Sequence, residues 1–243
     1  IRSRVPGLVV GNKVLVGRDG WYFITMKRTI DDFLGIIRLP PSDLNKIKEV
    51  LEERKEWLAM FGIKYLLVIA PAKWEIYPEK VPLNPNRVTN RTALDQIVAH
   101  LKENGSIERL DLRKALRETK ASFPVYSRTD THWTSVGLFA AVQEIKRRLS
   151  DWYPSISADS LENYDVRDEM DYSGDLARMM GIERGIPDKK YTLVARNGEG
   201  SLPGGPELEN SINQIVALER PAPGPPKPRA VIFHDSFGKY FPS

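Results

Sequence analysis

Apolar and polar positions along the chain follow two different periods, and together they predict strands interleaved with helices. Residues 64–70 (KYLLVIA) form a nearly continuous apolar run, which is typical of a strand buried on both faces, as in a parallel sheet. Apolar residues at helical spacing predict helices over residues 44–61 and 91–103. Ser42 or Asp43 is the expected N-cap of the first helix, because each offers a side-chain oxygen ahead of the apolar pattern.

The same patterns place elements at the start and in the second half of the chain. Asp19 and Gly20, flanked by apolar positions, predict a β-hairpin turn. Residues 107–112 and 191–196 have the composition of short strands, and residues 135–149 that of an amphipathic helix.

Three segments fit no regular period or change character abruptly. Residues 151–190 are polar and look irregular, and residues 197–229 form a loop or insertion rich in proline and glycine. Residues 230–238 (AVIFHDSFG) predict an apolar strand that runs into a polar tip. The whole pattern predicts one domain over residues 1–243, an α/β fold with a mostly parallel sheet flanked by helices. Such sheets bind ligands at the carboxyl ends of their strands, so the chemistry is expected there.

Composition limits the classes of function that need to be considered. The chain has 243 residues, of which 41% are hydrophobic and 28% charged, which suits a globular domain. The absence of cysteine excludes disulfides, thiolate catalysis and cysteine-ligated metals. The net charge of +4 is scattered along the sequence, so no nucleic-acid partner is predicted. Residue 1 is an isoleucine and no signal peptide follows, so we expect a signal or membrane anchor outside this sequence.

Ser236 is the first candidate for catalysis, because it follows the predicted strand at residues 230–235. A serine at a strand-to-helix turn projects its hydroxyl into the ligand crevice, and nearby backbone N–H groups can stabilise an oxyanion. The hydroxyl needs a base to become a nucleophile. The alternative is a serine that caps the next helix.

Asp130 and His132 are the second candidate. If the segment is extended, residues two apart point to the same side, and the carboxylate reaches one imidazole nitrogen. The other nitrogen is then available to take a proton from a serine. The alternative is a helix cap, in which Thr134 and its neighbours begin the next helix and His132 is merely packed.

The remaining candidates have weaker support. Gly174 could present a backbone N–H to an oxyanion, whereas Asp175 is expected to cap the helix that follows it. Tyr126 and Trp133 could stack on sugar rings, or serve as ordinary core residues. The histidines number three and lack metal-binding spacing, and no phosphate-binding loop is present, so neither a metal nor an organic cofactor is predicted.

Taken in order, five segments resemble one known family. They are GRDGWYF, APAKWEIYPEKVP, YSRTDTHWTSVG, GDL and FHDSFG. The set is similar to the alginate O-acetyltransferase family of AlgX and AlgJ, whose catalytic domain is SGNH-hydrolase-like. The resemblance implies a flavodoxin-like sheet and a triad in the permuted order Asp–His–Ser. Ser236 would be the nucleophile, His132 the general base and acid, and Asp130 the orienting carboxylate, with Lys73 a further oxyanion or substrate candidate.

The resemblance also implies a function, a location and partners. The expected reaction is transfer of acetyl groups to hydroxyls of an exopolysaccharide in the periplasm. The expected partners are the polysaccharide acceptor, a membrane-bound O-acyltransferase and polysaccharide-export proteins. An acetylesterase with the same triad and a non-catalytic polysaccharide-binding scaffold remain as alternatives. The chain stops seven residues after Ser236 and has no carbohydrate-binding module, so we expect an AlgJ-like member whose catalytic domain is truncated here.

Overall fold

The computed structural model describes most of the chain, namely residues 6–26, 28–83, 86–196, 201–202 and 228–238. The chain divides into two units, Ile1–Asp111 and Leu112–Ser243. Most of the predicted loop at residues 197–229 lies outside the described residues.

A three-stranded antiparallel sheet opens the first unit. Its strands are β1 (Val9–Val10), β2 (Val14–Val16) and β3 (Tyr22–Ile24). Leu15 pairs with Phe23 across the β2–β3 hairpin, and both side chains are buried. Asp19 and Gly20 have φ angles of 55° and 74°, the left-handed conformation that a tight turn needs. The hairpin predicted from these two residues is therefore confirmed.

The helices of the first unit are α1 (Thr29–Phe33), α2 (Pro41–Ala59), α3 (Lys73–Ile76) and α4 (Ala93–Asn104). The helices predicted at 44–61 and 91–103 are confirmed as α2 and α4. The predicted cap of α2 by Ser42 or Asp43 is wrong, because the helix begins at Pro41 and Pro40 is its N-cap. Proline suits the first helical position, where a free N–H would have no partner.

The predicted strands 64–70 and 107–112 are present in shorter form. They are β4 (Leu67–Ile69) and β5 (Arg109–Asp111), which run parallel with Val68 opposite Leu110. Residues 65–70 are half-buried rather than fully buried.

The second unit is built around an antiparallel sheet and a long helix. Its elements are α5 (Arg113–Lys120), α6 (Ser135–Ser150), β6 (Tyr164–Tyr172), α7 (Asp175–Met179), β7 (Asp188–Ala195) and β8 (Ser201–Leu202). Val136 and Phe139 of α6 pack with Leu193 of β7 in the core. Tyr164 and Val166 of β6 cover this cluster.

The expectation that residues 151–190 are irregular is wrong, because β6, α7 and the start of β7 lie there. The β6 sequence, YDVRDEMDY, has charged residues on the exposed side, while Tyr164 and Val166 reach the core. Only part of the strand is therefore apolar, and this hid its period of two.

The described strands form three separate sheets, and the predicted mostly parallel sheet is not confirmed. Among the described residues, the parallel pairing joins β4 and β5, whereas the other two sheets are antiparallel. The predicted strand at 230–235 is not formed: Val231 and Phe233 are 63% and 81% exposed. A strand needs a neighbour for its N–H and C=O groups, and no described strand bonds to this segment. Within the described residues, no helix is long and apolar enough to cross a membrane.

Candidate active site

A short loop before α6 carries the predicted aspartate and histidine. Tyr126 and Trp133 pair as an antiparallel bridge at the neck of this loop, and both are buried. Thr134 then caps α6, accepting a hydrogen bond from the N–H of Gly137. The helix predicted at 135–149, with Thr134 as its cap, is confirmed. The helix cap and the Asp130–His132 site are therefore not alternatives, because Thr134 caps the helix while Asp130 and His132 lie in the loop before it.

Asp130 and His132 form a close hydrogen-bonded pair within the loop. Oδ1 of Asp130 lies 2.8 Å from Nδ1 of His132 and accepts the backbone N–H of His132 at 2.8 Å. The premise of an extended segment is wrong, because residues 131 and 132 lie in a bend. A carboxylate that accepts the N–H two residues later is a common turn geometry of aspartate, and here it holds the imidazole as well.

The electrostatic environment keeps Asp130 ionised although only 3% of the residue is exposed. Burial alone would raise the pKa of Asp130, but hydrogen bonds and charge from His132, together with the Tyr172 hydroxyl, hold that pKa well below its usual value. An ionised carboxylate only accepts hydrogen bonds, so Nδ1 of His132 must be the donor. The lone pair of the imidazole is then on Nε2, where a general base needs it.

The other carboxylate oxygen of Asp130 joins the loop to β6 and α7. Its Oδ2 accepts the hydroxyl of Tyr172 at 2.6 Å and the backbone N–H of Asp175 at 3.0 Å. The latter N–H lies in the first turn of α7, where backbone donors have no partner within the helix. The start of α7 therefore helps to fix the orientation of the Asp130 carboxylate.

Asp188, the first residue of β7, anchors the other side of the loop. Its carboxylate accepts Ser127 Oγ at 2.6 Å, Thr129 N at 2.9 Å and Arg128 Nε at 3.1 Å. Burial would raise the pKa of Asp188, but these bonds and the N–H of Lys189 lower it. A buried carboxylate thus ties the loop to the sheet of the second unit.

Gly174 lets α7 approach this loop closely. A Cβ atom at this position would meet the carbonyl oxygen of Thr129 and would lie 2.5 Å from Cβ of Asp130. The N–H of Gly174 donates to Thr129 Oγ1 at 3.1 Å. An oxyanion would need this same N–H group, which already donates to Thr129. The oxyanion role predicted for Gly174 therefore does not fit this geometry.

Ser236 lies in a turn near the C-terminal end of the described chain. The N–H of Gly238 donates to the carbonyl of Asp235 at 3.1 Å, and the N–H of Phe237 donates to Asp235 Oδ1 at 2.9 Å. Ser236 is exposed at the tip of this turn. Phe237 packs against His132, with ring centroids 5.1 Å apart. The residue after the predicted nucleophile is thus in contact with the predicted base.

Tyr126 and Trp133 complete an aromatic pocket for Phe237. The ring of Phe237 lies 6.2 Å from that of Tyr126 and 5.1 Å from that of Trp133, in edge-to-face arrangements. Tyr126 and Trp133 are both buried, so in this structure they serve as packing residues. Lys73, in the first unit, donates to the carbonyl of Tyr22 at 2.8 Å and is buried in that unit.

Asp130, His132 and Asp175 are also close enough to raise the question of a cation. Their donor atoms lie within 4.8 Å of one another. Both oxygens of Asp130 already accept hydrogen bonds, as does Asp175 Oδ1 from Thr131. A cation would have to displace these donors, so the geometry fits a hydrogen-bonded acid–base group better.

Comparison with known proteins assigns the family. Residues 14–197 match the family model of the SGNH hydrolase-like domain of acetyltransferase AlgX. The chain belongs to this family. The matched range includes the Asp130–His132 loop, Asp175 and Asp188, whereas Ser236 lies beyond it.

Relatives of this AlgX-family chain include proteins named probable alginate O-acetylase AlgJ. The protein from Pseudomonas aeruginosa is 24% identical over 179 residues, covering 70% of this chain and 41% of the relative. That from Azotobacter vinelandii is 22% identical over 211 residues, covering 84% of this chain and 53% of the relative. The chain therefore spans about half or less of the length of these relatives.

Solved structures are similar at the level of the fold. The O-acetyltransferase domain of Pseudomonas putida AlgJ matches with a TM-score of 0.53 and 23% identity, over 76% of this chain and 65% of that chain. Bacillus cereus PatB1 matches with a TM-score of 0.53 and 12% identity, over 76% of this chain and 59% of that one. This AlgX-family chain thus has the α/β fold of an SGNH hydrolase-like domain.

Three residues of the site were not predicted from the sequence. Tyr172 and Asp188 lie in the stretch that looked irregular, and Asp175 was assigned to a helix cap. The GDL motif of the resemblance was the available signal for Asp175. No local pattern pointed to Asp188, because its partners lie 59 to 61 residues away in the sequence.

Proposed function

We propose that the protein is an O-acetyltransferase that moves acetyl groups onto hydroxyls of an exopolysaccharide through an acetyl-serine intermediate. The observation that carries the proposal is the Asp130–His132 pair, joined at 2.8 Å, with Phe237 against the imidazole ring. The names of the AlgJ relatives make alginate the first acceptor to test.

The triad of the proposal is Asp130, His132 and Ser236, in that chain order. Asp130 orients the imidazole and stabilises the imidazolium that forms during attack. Nε2 of His132 is the general base and acid. Ser236 is the nucleophile, and its exposed position in a turn leaves the hydroxyl open to a donor.

In the first half-reaction, Oγ of Ser236 attacks the carbonyl carbon of an acetyl donor, and its proton passes to Nε2 of His132. The C–O bond to the donor's leaving group breaks, and the leaving oxygen takes that proton. In the second half, a sugar hydroxyl gives its proton to Nε2 and attacks the acetyl carbon. The bond to Ser236 breaks and Oγ regains the proton.

The oxyanion of each tetrahedral intermediate needs hydrogen-bond donors. The proposal assigns this role to the backbone N–H of Ser236, because the N–H of Gly174 already donates to Thr129 Oγ1. No metal or organic cofactor takes part in these steps.

The proposal retains a mostly parallel sheet for this domain. The proposal also places the protein in the periplasm, with a membrane-bound O-acyltransferase as acetyl source and export proteins as further partners.

The test is acetyl transfer from a chromogenic acetyl ester to defined oligosaccharides, followed by mass spectrometry of the sugars. Oligomannuronate is the test acceptor and a cello-oligosaccharide the comparison. Transfer by the wild type and none by Ser236→Ala supports the proposal. Release of acetate without acetylated sugar would indicate the esterase. No turnover and no acetylated protein would favour the scaffold.

A further inference from the structure

A second carboxylate lies beside His132. Asp175 begins α7, and its Oδ2 is 3.8 Å from Nδ1 of His132. Its Oδ1 accepts the backbone N–H of Thr131 at 2.7 Å and the Thr131 hydroxyl at 3.1 Å. Asp175 was expected to cap α7, but the N-cap of that helix is Gly174, and the Asp175 carboxylate bonds to a loop 44 residues away.

We propose that Asp175 is a positioning residue for His132. One carboxylate oxygen holds the residue that precedes the histidine, and the other places a second negative charge beside its Nδ1 nitrogen. The role in the reaction rests on the proposed function, because His132 is the base only if the triad operates.

The two oxygens of Asp175 have separable effects. Oδ1 restrains the backbone of the bend, since an N–H held at 2.7 Å fixes the peptide that leads into His132. Oδ2 contributes only its charge, because its distance of 3.8 Å from Nδ1 of His132 is beyond hydrogen-bond range. A substitution that keeps an acceptor and removes the charge therefore distinguishes the two effects.

Keeping two carboxylates this close has an electrostatic penalty. Burial and the charge of Asp130 both raise the pKa of Asp175. The penalty is relieved when His132 becomes an imidazolium, since its Nδ1 lies 2.8 Å from Asp130 and 3.8 Å from Asp175. The other groups around this cluster are the Tyr172 hydroxyl on Asp130 and, across the loop, the Asp188–Arg128 pair.

This arrangement predicts a specific change in proton affinity. Without the charge of Asp175, the protonated imidazole is less stable, so His132 takes up its proton at a lower pH. The acid limb of the activity profile should then move to lower pH. Formation of the imidazolium during attack becomes harder as well, so kcat should fall while KM changes little.

The primary measurement is the pH titration of the His132 ring signal by NMR, which does not depend on turnover. The sequence has three histidines, so assignment requires only His100 and His234 to be replaced in turn. Asp175→Asn should lower the midpoint of His132 by ~1 pH unit. Asp175→Ser, which also removes the charge, provides a second variant if the first does not fold.

Thr131→Val is the matched control, because it removes the hydroxyl bond to Asp175 and keeps the carboxylate. Its His132 midpoint should equal that of the wild type. If the Asp175 variants titrate as the wild type does, or if Thr131→Val shifts equally, Asp175 is a structural anchor and the inference is wrong.

Kinetics separate this inference from the proposed function. In an active enzyme, Asp175→Asn should lower kcat about 10-fold and move the acid limb in the same direction as the NMR midpoint. If the wild type has no acetyl-ester turnover, the proposed function fails, but the NMR shift still decides whether Asp175 acts on His132.

Discussion

The Asp130→Asn substitution tests how the buried carboxylate prepares His132. An amide offers one acceptor oxygen and one NH2 group in place of two acceptors. If the NH2 group faces Nδ1, it donates to that nitrogen and forces the proton onto Nε2, so the base is lost. If the NH2 group faces the other way, it meets the N–H of Asp175 and the hydroxyl of Tyr172, two groups that donate to Oδ2 of the wild-type carboxylate.

The size of the effect follows from the distance. A full charge on Asp130, 2.8 Å from Nδ1, stabilises the imidazolium by about 6 kcal/mol at an effective dielectric constant of about 20. That energy corresponds to a rate loss of about 10⁴-fold, which is also the order found when a triad aspartate is replaced by asparagine. Stability should change less, because the variant no longer buries a charge.

The assay is steady-state hydrolysis of a chromogenic acetyl ester, with thermal unfolding followed by circular dichroism on the same samples. Asp151→Asn is the control, since that aspartate is paired with Arg148 at the surface and its side chain is 67% exposed. We expect the control to retain full activity. A folded Asp130→Asn protein that keeps more than about a tenth of wild-type kcat would refute this account of His132.

Three further predictions concern the parts that hold the site. Phe237→Ala removes the ring packed on His132 and should lower kcat/KM about 100-fold with a small change in Tm, measured by the ester assay and calorimetry. Asp188→Asn should destabilise the protein by about 3 kcal/mol in urea unfolding at pH 7. The pKa of Asp188 is lowered from its usual value of 3.8, so the carboxylate stabilises the fold above pH 3.8 and this stabilisation is lost as pH falls through the folded pKa. The stability of the variant should therefore fall less steeply with decreasing pH than that of the wild type. Gly174→Ala forces a methyl group against Thr129. It should lower the free energy of unfolding by several kcal/mol, and with it Tm and activity.

Each of these has a control and a contrary result. Phe61→Ala, at a phenylalanine 64% exposed, should leave activity unchanged. A Phe237→Ala enzyme with wild-type kcat/KM would mean that the contact with His132 does not position the serine turn. If stability falls as steeply with decreasing pH in Asp188→Asn as in the wild type, the loss comes from other carboxylates such as Asp130. A Gly174→Ala protein of normal stability would mean that α7 can move away from the loop.

Elements with strong local signals were predictable from the sequence. The Asp19–Gly20 turn, α6 with its Thr134 cap, and α4 are set by residues close together in the chain, and the structure has each of them. Local propensity decides such elements because their hydrogen bonds close over four residues or fewer.

Two elements whose stability depends on distant partners were mispredicted. β6 is stabilised by pairing with β7 residues that lie 16 to 31 positions later in the sequence, and its charged outer face concealed the strand. The strand expected at 230–235 failed for the opposite reason: an apolar, β-branched run favours a strand only where a neighbour pairs with it.

The site shows the same division. Asp130 and His132 are two residues apart, so their contact was predictable, although a bend rather than a strand produces it. The contributions of Asp175 and Asp188 depend on which segments of the fold meet, and no spacing in the sequence encodes that. The resemblance grouped Asp130, His132 and Ser236 into one triad, an assignment that local patterns alone left undecided.

The acetylated enzyme is the most direct test of the central claim that Ser236 and His132 act together. The protein is mixed with a reactive acetyl ester, quenched in acid within milliseconds to seconds, and analysed by intact mass and peptide mapping. The account predicts one added acetyl group, located on Ser236, that is lost in Ser236→Ala and forms about 10³-fold or more slowly in His132→Ala. An acetyl group on another residue, or equal labelling of Ser236 in His132→Ala, would contradict it.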